Sequence, residues 1–291
     1  MLAEIFSVVA PILFGVLLGF FWARLRLPYD SNFVSALVFN LGTPLLVFYT
    51  LTNIKVDPTA FGIMAFATAA AMAAFALISY VVLRLARLER RTYWSVVMMP
   101  NTGNVGLPLC LLAFGDEGLA FAIIVYSIVS MCQFTVGVGL NAGTFSLREF
   151  ARVPLIYAVA AALVFLLTGT KPPLWIANST KLIGQMAIPL MIVTLGVSLA
   201  KLKVTSLPRS FMLSLVRFAM GLGVGVGLAE VLGLEGTPRG VLILQCAMPA
   251  AVFNYMLAAR YGNNPDEVAG VIVTSTLFSF LTLPFLLSFL L

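Results

Sequence analysis

Apolar stretches about as long as a bilayer is thick follow one another along almost the whole chain. They run over 4–22, 32–53, 58–83, 92–114, 118–141, 154–170, 178–200, 207–231, 238–260 and 266–290. Each is near the roughly 20 residues that a helix needs to cross the hydrocarbon core. In lipid every backbone amide must find its partner inside the protein, so helices of this length are the economical solution. The connections are short, and the longest, 142–153, leaves five segments on either side. The sequence therefore predicts an all-α integral membrane protein with ten spans. A first half would cover 1–141 and a second 154–291, with 142–153 joining them on the cytoplasmic side.

Composition narrows the function. The chain is 61% hydrophobic and 10% charged, with a mean hydropathy of +1.07; lipid as solvent explains that excess. A net charge of +6 does not point to nucleic acid, because the basic residues sit in short loops between apolar runs. Histidine is absent, which removes imidazole as ligand, base or pH switch. Cys110, Cys132 and Cys246 lie in apolar segments at unrelated spacings and read as small buried residues. No metal site and no cofactor is expected. The run from Ile5 to Trp22 has no basic region before it and reads as the first span, not a cleaved leader.

Basic residues also set the orientation. Loops after the odd-numbered segments hold Arg24, Arg26, Arg84, Arg87, Arg90, Arg91, Arg148, Arg152, Lys201, Lys203, Arg209 and Arg260. The other side holds Lys55, Lys171, Lys181 and Arg239. Positive loops stay in the cytoplasm, so both termini are expected outside.

The two halves carry matching landmarks. One spacing separates Asn104 from Asn254, Asp116 from Asp266 and Glu117 from Glu267, and Pro100 and Pro249 agree with it to within a residue. Asn40 with Pro44 resembles Gln185 with Pro189 at a slightly shorter offset. Five is an odd number, so a second copy must enter the membrane from the opposite side. The expected fold is two inverted five-helix repeats, an arrangement frequent among secondary transporters.

Segments four and nine contain residues that a helix interior rejects. Pro100 and Pro108 bracket Asn101, Thr102, Gly103, Asn104 and Gly106. Proline removes a backbone donor and glycine loosens the chain. Segment nine repeats the device more mildly, with Gln245, Pro249 and Asn254. Irregular backbone at membrane depth is tolerated only around protein or a water-filled cavity. The reading is that segments four and nine break and cross near the midplane, where half-helix N-termini face an anion. Pro11, Pro154 and Pro284 stand alone near span ends and read as kinks.

The stretch Asn101-Thr102-Gly103-Asn104-Val105-Gly106-Leu107-Pro108-Leu109, followed by Phe114-Gly115, resembles the fourth-span signature of the auxin efflux carrier family. That family includes plant auxin carriers and bacterial carriers of small organic acids, within a wider group containing the bile acid:sodium symporters. The resemblance extends to span number, the five-plus-five organisation and the position of the broken segments. It implies substrate binding where helices four and nine cross. It also implies a scaffold of spans 1, 2, 6 and 7, a core of spans 3–5 and 8–10 moving in an elevator-like way, and a homodimer. Together with the loop bias it implies a bacterial inner (plasma) membrane. The long central hydrophilic loop of the plant members is missing here.

Few polar groups lie deep in the spans. Gln133 shares a helix face with Tyr126 and Ser130 and is a candidate for the substrate site, as is Gln245. Asn40 and Gln185 would lie on the scaffold side, either closing over the substrate or bonding between helices. Arg217 is the one charge near the middle of an apolar span; it contacts substrate or snorkels toward the cytoplasm. Asp116, Glu117, Asp266 and Glu267 read as N-terminal acids of spans five and ten. Gly221, Gly223, Gly225 and Gly227 read as a close-packing stripe.

No carboxylate can be placed at the midplane, so a proton relay lacks its parts, while unwound carbonyls can still hold sodium. Coupling to sodium or protons and uniport driven by membrane potential all remain open. The leading expectation is a carrier of a small organic anion such as a carboxylate or auxin-like acid. The alternatives are a sodium-coupled symporter of the bile acid type and a sensor that binds without transporting. A channel lacks a continuous polar lining. An intramembrane enzyme lacks paired aspartates, a Ser–His pair or a metal motif.

Overall fold

A computed structural model describes residues 2–53, 57–144 and 151–291. Lys55 and Arg148, used above for orientation, and 145–150 of the connector lie outside the described residues. Among the described residues the chain is helical apart from its connections and one isolated bridge.

The elements are α1 (Leu2–Arg24), α2 (Ser31–Asn53), α3 (Pro58–Leu85), α4 (Arg90–Met98), α5 (Thr102–Ala142), α6 (Pro154–Thr168), α7 (Leu174–Lys201), α8 (Leu207–Val231), α9 (Gly236–Cys246), α10 (Phe253–Tyr261) and α11 (Pro265–Leu290). Seven of them, α1, α2, α3, α5, α7, α8 and α11, are long and apolar enough to cross a membrane. The 41-residue run of α5 is interrupted at Gly115, whose φ of 65° and ψ of −156° no helix contains. Segments four and five of the sequence reading therefore fall on α4 and the two parts of α5. Segment six is the 15-residue α6, and segment nine is divided between α9 and α10.

Local chemistry sets the ends of these elements. The Asp30 carboxylate accepts the amides of Asn32 and Phe33 at 2.9 and 3.0 Å and starts α2. Asp57 caps α3 in the same way through Ala60 N–H at 3.3 Å. Gly169 and Gly262 take the left-handed conformation that ends α6 and α10. Pro11 and Pro284 lie inside α1 and α11, and Pro154 opens α6, where its missing N–H costs nothing.

Packing follows the small residues. α1 lies along the second half of α7, α2 along α6 and the first half of α7. A Cβ at Gly19 would strike the Val193 carbonyl, and one at Gly196 the Val16 carbonyl, so these helices touch backbone to backbone. Separately, α8 lies against α9 and α11, and α3 against α4 and α5. The glycine stripe of α8 divides: Gly221 and Gly225 press on α9, while Gly223 and Gly227 meet open space. The outer surface is apolar, with Phe6, Phe14, Leu167 and Phe285 each at least 70% exposed. In water such a surface would aggregate; in lipid it is ordinary.

The acids after the breaks do more than face a helix dipole. Asp266 and Glu267 do occupy the first turn of α11, but the Glu267 carboxylate accepts the Tyr93 hydroxyl at 2.8 Å and pairs with Arg209 at 3.4 Å. Glu117 accepts Thr237 Oγ1 at 3.1 Å. These contacts tie α11 to α4 and α8 at one face, and α5 to α9 at the other.

Candidate functional site

α4 stops at Met98 and the chain is extended from Met99; α9 stops at Cys246, where Ala247 makes a turn before the chain leaves helical geometry. Both stretches contain a proline, and the residue before a proline avoids helical geometry. Met99 accordingly sits at φ −90°, ψ 112°. The two stretches then satisfy each other. They form an antiparallel bridge at Pro100 and Ala250, with Asn101 N–H donating to Pro249 O at 2.7 Å and Ala251 N–H to Met99 O at 3.1 Å. Ala250 N–H finds Ser275 Oγ at 3.1 Å. Backbone groups that no helix serves and no water reaches are thereby paired.

Two features differ from the sequence reading. The residues between Pro100 and Pro108 are not unwound: Thr102–Gly106 is a wide π-type turn, and Pro108 lies in the first turn of the α-helix that follows, where proline is tolerated. The non-helical residues are 99–101. The second interruption, 247–252, is the longer of the two and not the milder, although it lacks the glycines.

A cavity of about 540 Å³ opens beside this bridge. Pro100, Asn101, Thr102, Gly103 and Asn104 form one wall, Tyr126, Ser130 and Gln133 of α5 a second, and Phe253 and Tyr255 of α10 a third. Its mouth holds Tyr29, Asp30 and Lys201, on the face where basic loops predominate. Lys201 Nζ donates to Ser31 Oγ at 3.0 Å, and Tyr29 shares a 2.6 Å hydrogen bond with Thr194. Burial pushes the Tyr29 phenol up, against the smaller downward pull of that bond, so it stays neutral. Three π-type turns, Val38–Gly42, Thr102–Gly106 and Gln133–Gly137, each place a residue on the wall: Phe39, Thr102 and Gln133. Such turns re-aim side chains at functional sites.

The wall gathers helix N-terminal ends and is short of partners. The Thr102 turn and α10 both present N-terminal ends to the cavity, and Asn101 Oδ1 caps the first by accepting Asn104 N–H at 3.3 Å. Asn101 Nδ2 and Gln133 Nε2 are buried donors without a protein partner. Buried donors are nearly always satisfied, so an unfilled donor on each of two walls of one cavity marks a place for an acceptor.

Other expected site residues lie elsewhere. Asn40 is exposed on a neighbouring cavity of about 300 Å³, which shares Phe39, Tyr126 and Phe253 with the first. Edge-to-face contacts of 5.1–6.2 Å join Phe39, Phe134 and Phe253 beside these cavities. Gln185 lines a third cavity, of about 600 Å³, with Asp116 and Lys181. Gln245 and Asn254 line none of these three cavities. Gln245 is fully buried against Gly106 beside the Cys110 thiol, with its amide Nε2 unpartnered. Asn254, 2% exposed, accepts Ser95 Oγ at 2.7 Å and donates to Ala251 O at 2.9 Å. Its hydrogen bonds join α10 to α4, which occupies the amide structurally. Ser95 stands to Gln245 at the spacing that relates Asn104 to Asn254, a signal available in the sequence but not used. Arg217 neither lines the 540 Å³ cavity nor snorkels: it is 1% exposed.

Residues 4–144 and 138–287 match the family described as membrane transport protein. An uncharacterized transporter of Methanothermobacter thermautotrophicus is 27% identical over 272 residues, 88% of this chain and 87% of that protein. Another, from Methanocaldococcus jannaschii, is 27% identical over 199 residues, 65% of this chain; the match spans 64% of that relative's length. With nearly its whole length matched, and with the auxin efflux carrier signature of its fourth segment, the chain belongs to the membrane transport protein family.

Proposed function

We propose that this protein carries a small organic anion, such as a carboxylate or an auxin-like acid, across the membrane by elevator-type alternating access. One observation carries the reading: two helix N-terminal ends and the side chains of Asn101 and Gln133, whose buried amide nitrogens lack partners, border a single cavity. Those groups match a carboxylate, which only accepts hydrogen bonds.

Several features support two inverted five-helix repeats with crossing segments four and nine. The interrupted stretches pair antiparallel. The family match falls in two stretches that meet at 138–144. The separate packing of α1, α2, α6 and α7 supports a scaffold, with the remaining helices as the moving core. With the basic loops inside and both termini outside, the large cavity is open to the cytoplasm.

Flux of labelled carboxylates into proteoliposomes tests the proposal. Asn101→Ala and Asn104→Ala should abolish saturable flux while the protein still elutes as a folded species. Normal flux in both would remove the site assignment, and ligand binding without flux would favour a sensor.

A second reading, sodium-coupled symport of the bile acid type, is favoured by Gln245, a fully buried amide behind the interrupted stretches whose Nε2 has no partner. Flux that requires sodium and is lost in Gln245→Leu would select it. Sodium-independent flux would leave uniport driven by membrane potential, worth about 2.3 kcal/mol per charge per 100 mV.

A further inference from the structure

Arg217 lies midway along α8 and is buried in the protein, 1% exposed. Its guanidinium donates to four carbonyls. Nη1 reaches Val97 O and Met98 O, both at 3.2 Å, Nη2 reaches Cys246 O at 2.5 Å, and Nε reaches Met248 O at 3.3 Å. Its Cζ stands 4.4 Å from the Phe75 ring centroid. Among the described residues no carboxylate is ion-paired with it.

Three of those carbonyls are the last of α4 and α9. A helix C-terminus carries about half a negative charge. Two such ends meet at one guanidinium, whose planar fork aims donors at both at once. The opposite, positive ends at Thr102 and Phe253 face the cavity. Without Arg217, two negative and two positive helix ends would meet at one depth and largely cancel. With it, the negative ends are neutralised from behind and the cavity keeps the positive ones.

We propose that Arg217 determines the charge preference of this site without touching the solute: it neutralises the C-terminal ends of both interrupted helices, leaving a net positive cavity that selects anions. The inference rests on the carrier reading above and assigns its selectivity to a residue outside the binding surface. Met98 is three residues from Asn101, and consecutive Cα atoms are about 3.8 Å apart, so the charge lies on the order of 10 Å behind the wall. At an effective dielectric constant of about 20, a unit charge at that distance changes the binding of a monoanion on the order of tenfold. An uncharged analogue of the same shape is unaffected.

The test uses the full chain in nanodiscs, with benzoate and succinate as probes and benzamide and succinamide as their neutral counterparts. The reading is the acid-to-amide affinity ratio. Wild-type protein that binds acids no better than amides removes the carrier reading and this inference with it. Given a wild-type preference, Arg217→Gln keeps a donor but loses the charge, and its ratio should fall on the order of tenfold. Arg217→Lys keeps the charge, and its ratio should hold. An unchanged ratio in Arg217→Gln, with acid and amide weakened alike, would mean that Arg217 only holds structure and would overturn the inference. Should Arg217→Gln not fold, Arg217→Met, apolar and of similar length, is read by the same ratio with the same two outcomes.

Discussion

Gly221 and Gly223 stand two residues apart in α8 and offer a matched pair of substitutions. Replacing either by alanine adds one methyl group and gains about 1 kcal/mol of helix propensity. At Gly223 the new Cβ meets nothing within 4 Å. At Gly221 it would strike the Cys246 carbonyl oxygen and lie 2.9 Å from the carbonyl carbon and 3.0 Å from Ala247 Cα. All three atoms are backbone, so no side chain can swing aside; the end of α9 must move by roughly 1 Å to restore ordinary carbon contacts near 3.5–4.0 Å. Overpacking of this kind costs about 1–3 kcal/mol. Gly223→Ala should therefore stabilise by up to about 1 kcal/mol, and Gly221→Ala should destabilise by up to about 2 kcal/mol. The difference between them cancels propensity and isolates the close approach. Unfolding in a denaturing detergent titration, followed by tryptophan fluorescence, measures both. Because Cys246 O is also held by Arg217 Nη2, Gly221→Ala combined with Arg217→Lys should lose less than the two single losses sum to, since both disturb that one contact. Equal stability of the two alanine variants would refute the packing of α8 on α9 described above.

Asn254→Ala leaves Ser95 Oγ and Ala251 O without their buried partner and should cost about 1–3 kcal/mol in the same titration. Carboxylate affinity of the folded fraction should be unchanged, because Asn254 is off the cavity. Gln133→Leu removes an unpartnered buried donor, so stability should hold or rise while carboxylate binding, read by isothermal titration, weakens at least tenfold. Gly106→Ala drives a methyl group into the buried Gln245 amide; thermal stability should fall, and Gln245→Ala in the same chain should restore most of it.

Much of this molecule follows from one-dimensional pattern. Bilayer-length apolar runs with few charges leave the backbone helix as its way to stay hydrogen-bonded in lipid, and the described residues are helical accordingly. Pro100 and Pro249 mark where helices stop, because a missing N–H acts locally and needs no tertiary partner. The cluster from Asn101 to Asn104 was legible as a wall for the same reason, and Tyr126 and Gln133 could be aligned with each other by helical spacing.

What sequence could not decide is which way a side chain faces once every face of a helix is apolar. In a soluble protein the polar side of a helix gives its azimuth away. Here lipid and protein interior look alike, and no periodicity separates them. Gln245 and Asn254 therefore turned out to point into helix contacts and not into the cavity, although their spacing matched that of site residues. Arg217 read as a substrate contact or a snorkelling charge until its four carbonyl partners, from residues far apart in the chain, appeared together. The π-type turns that aim Phe39, Thr102 and Gln133 depend on a single extra residue per turn, which packing decides and composition does not record. Span and break were set by the solvent and by local backbone chemistry; the facing of side chains and the pairing of the two extended stretches were set by long-range contact.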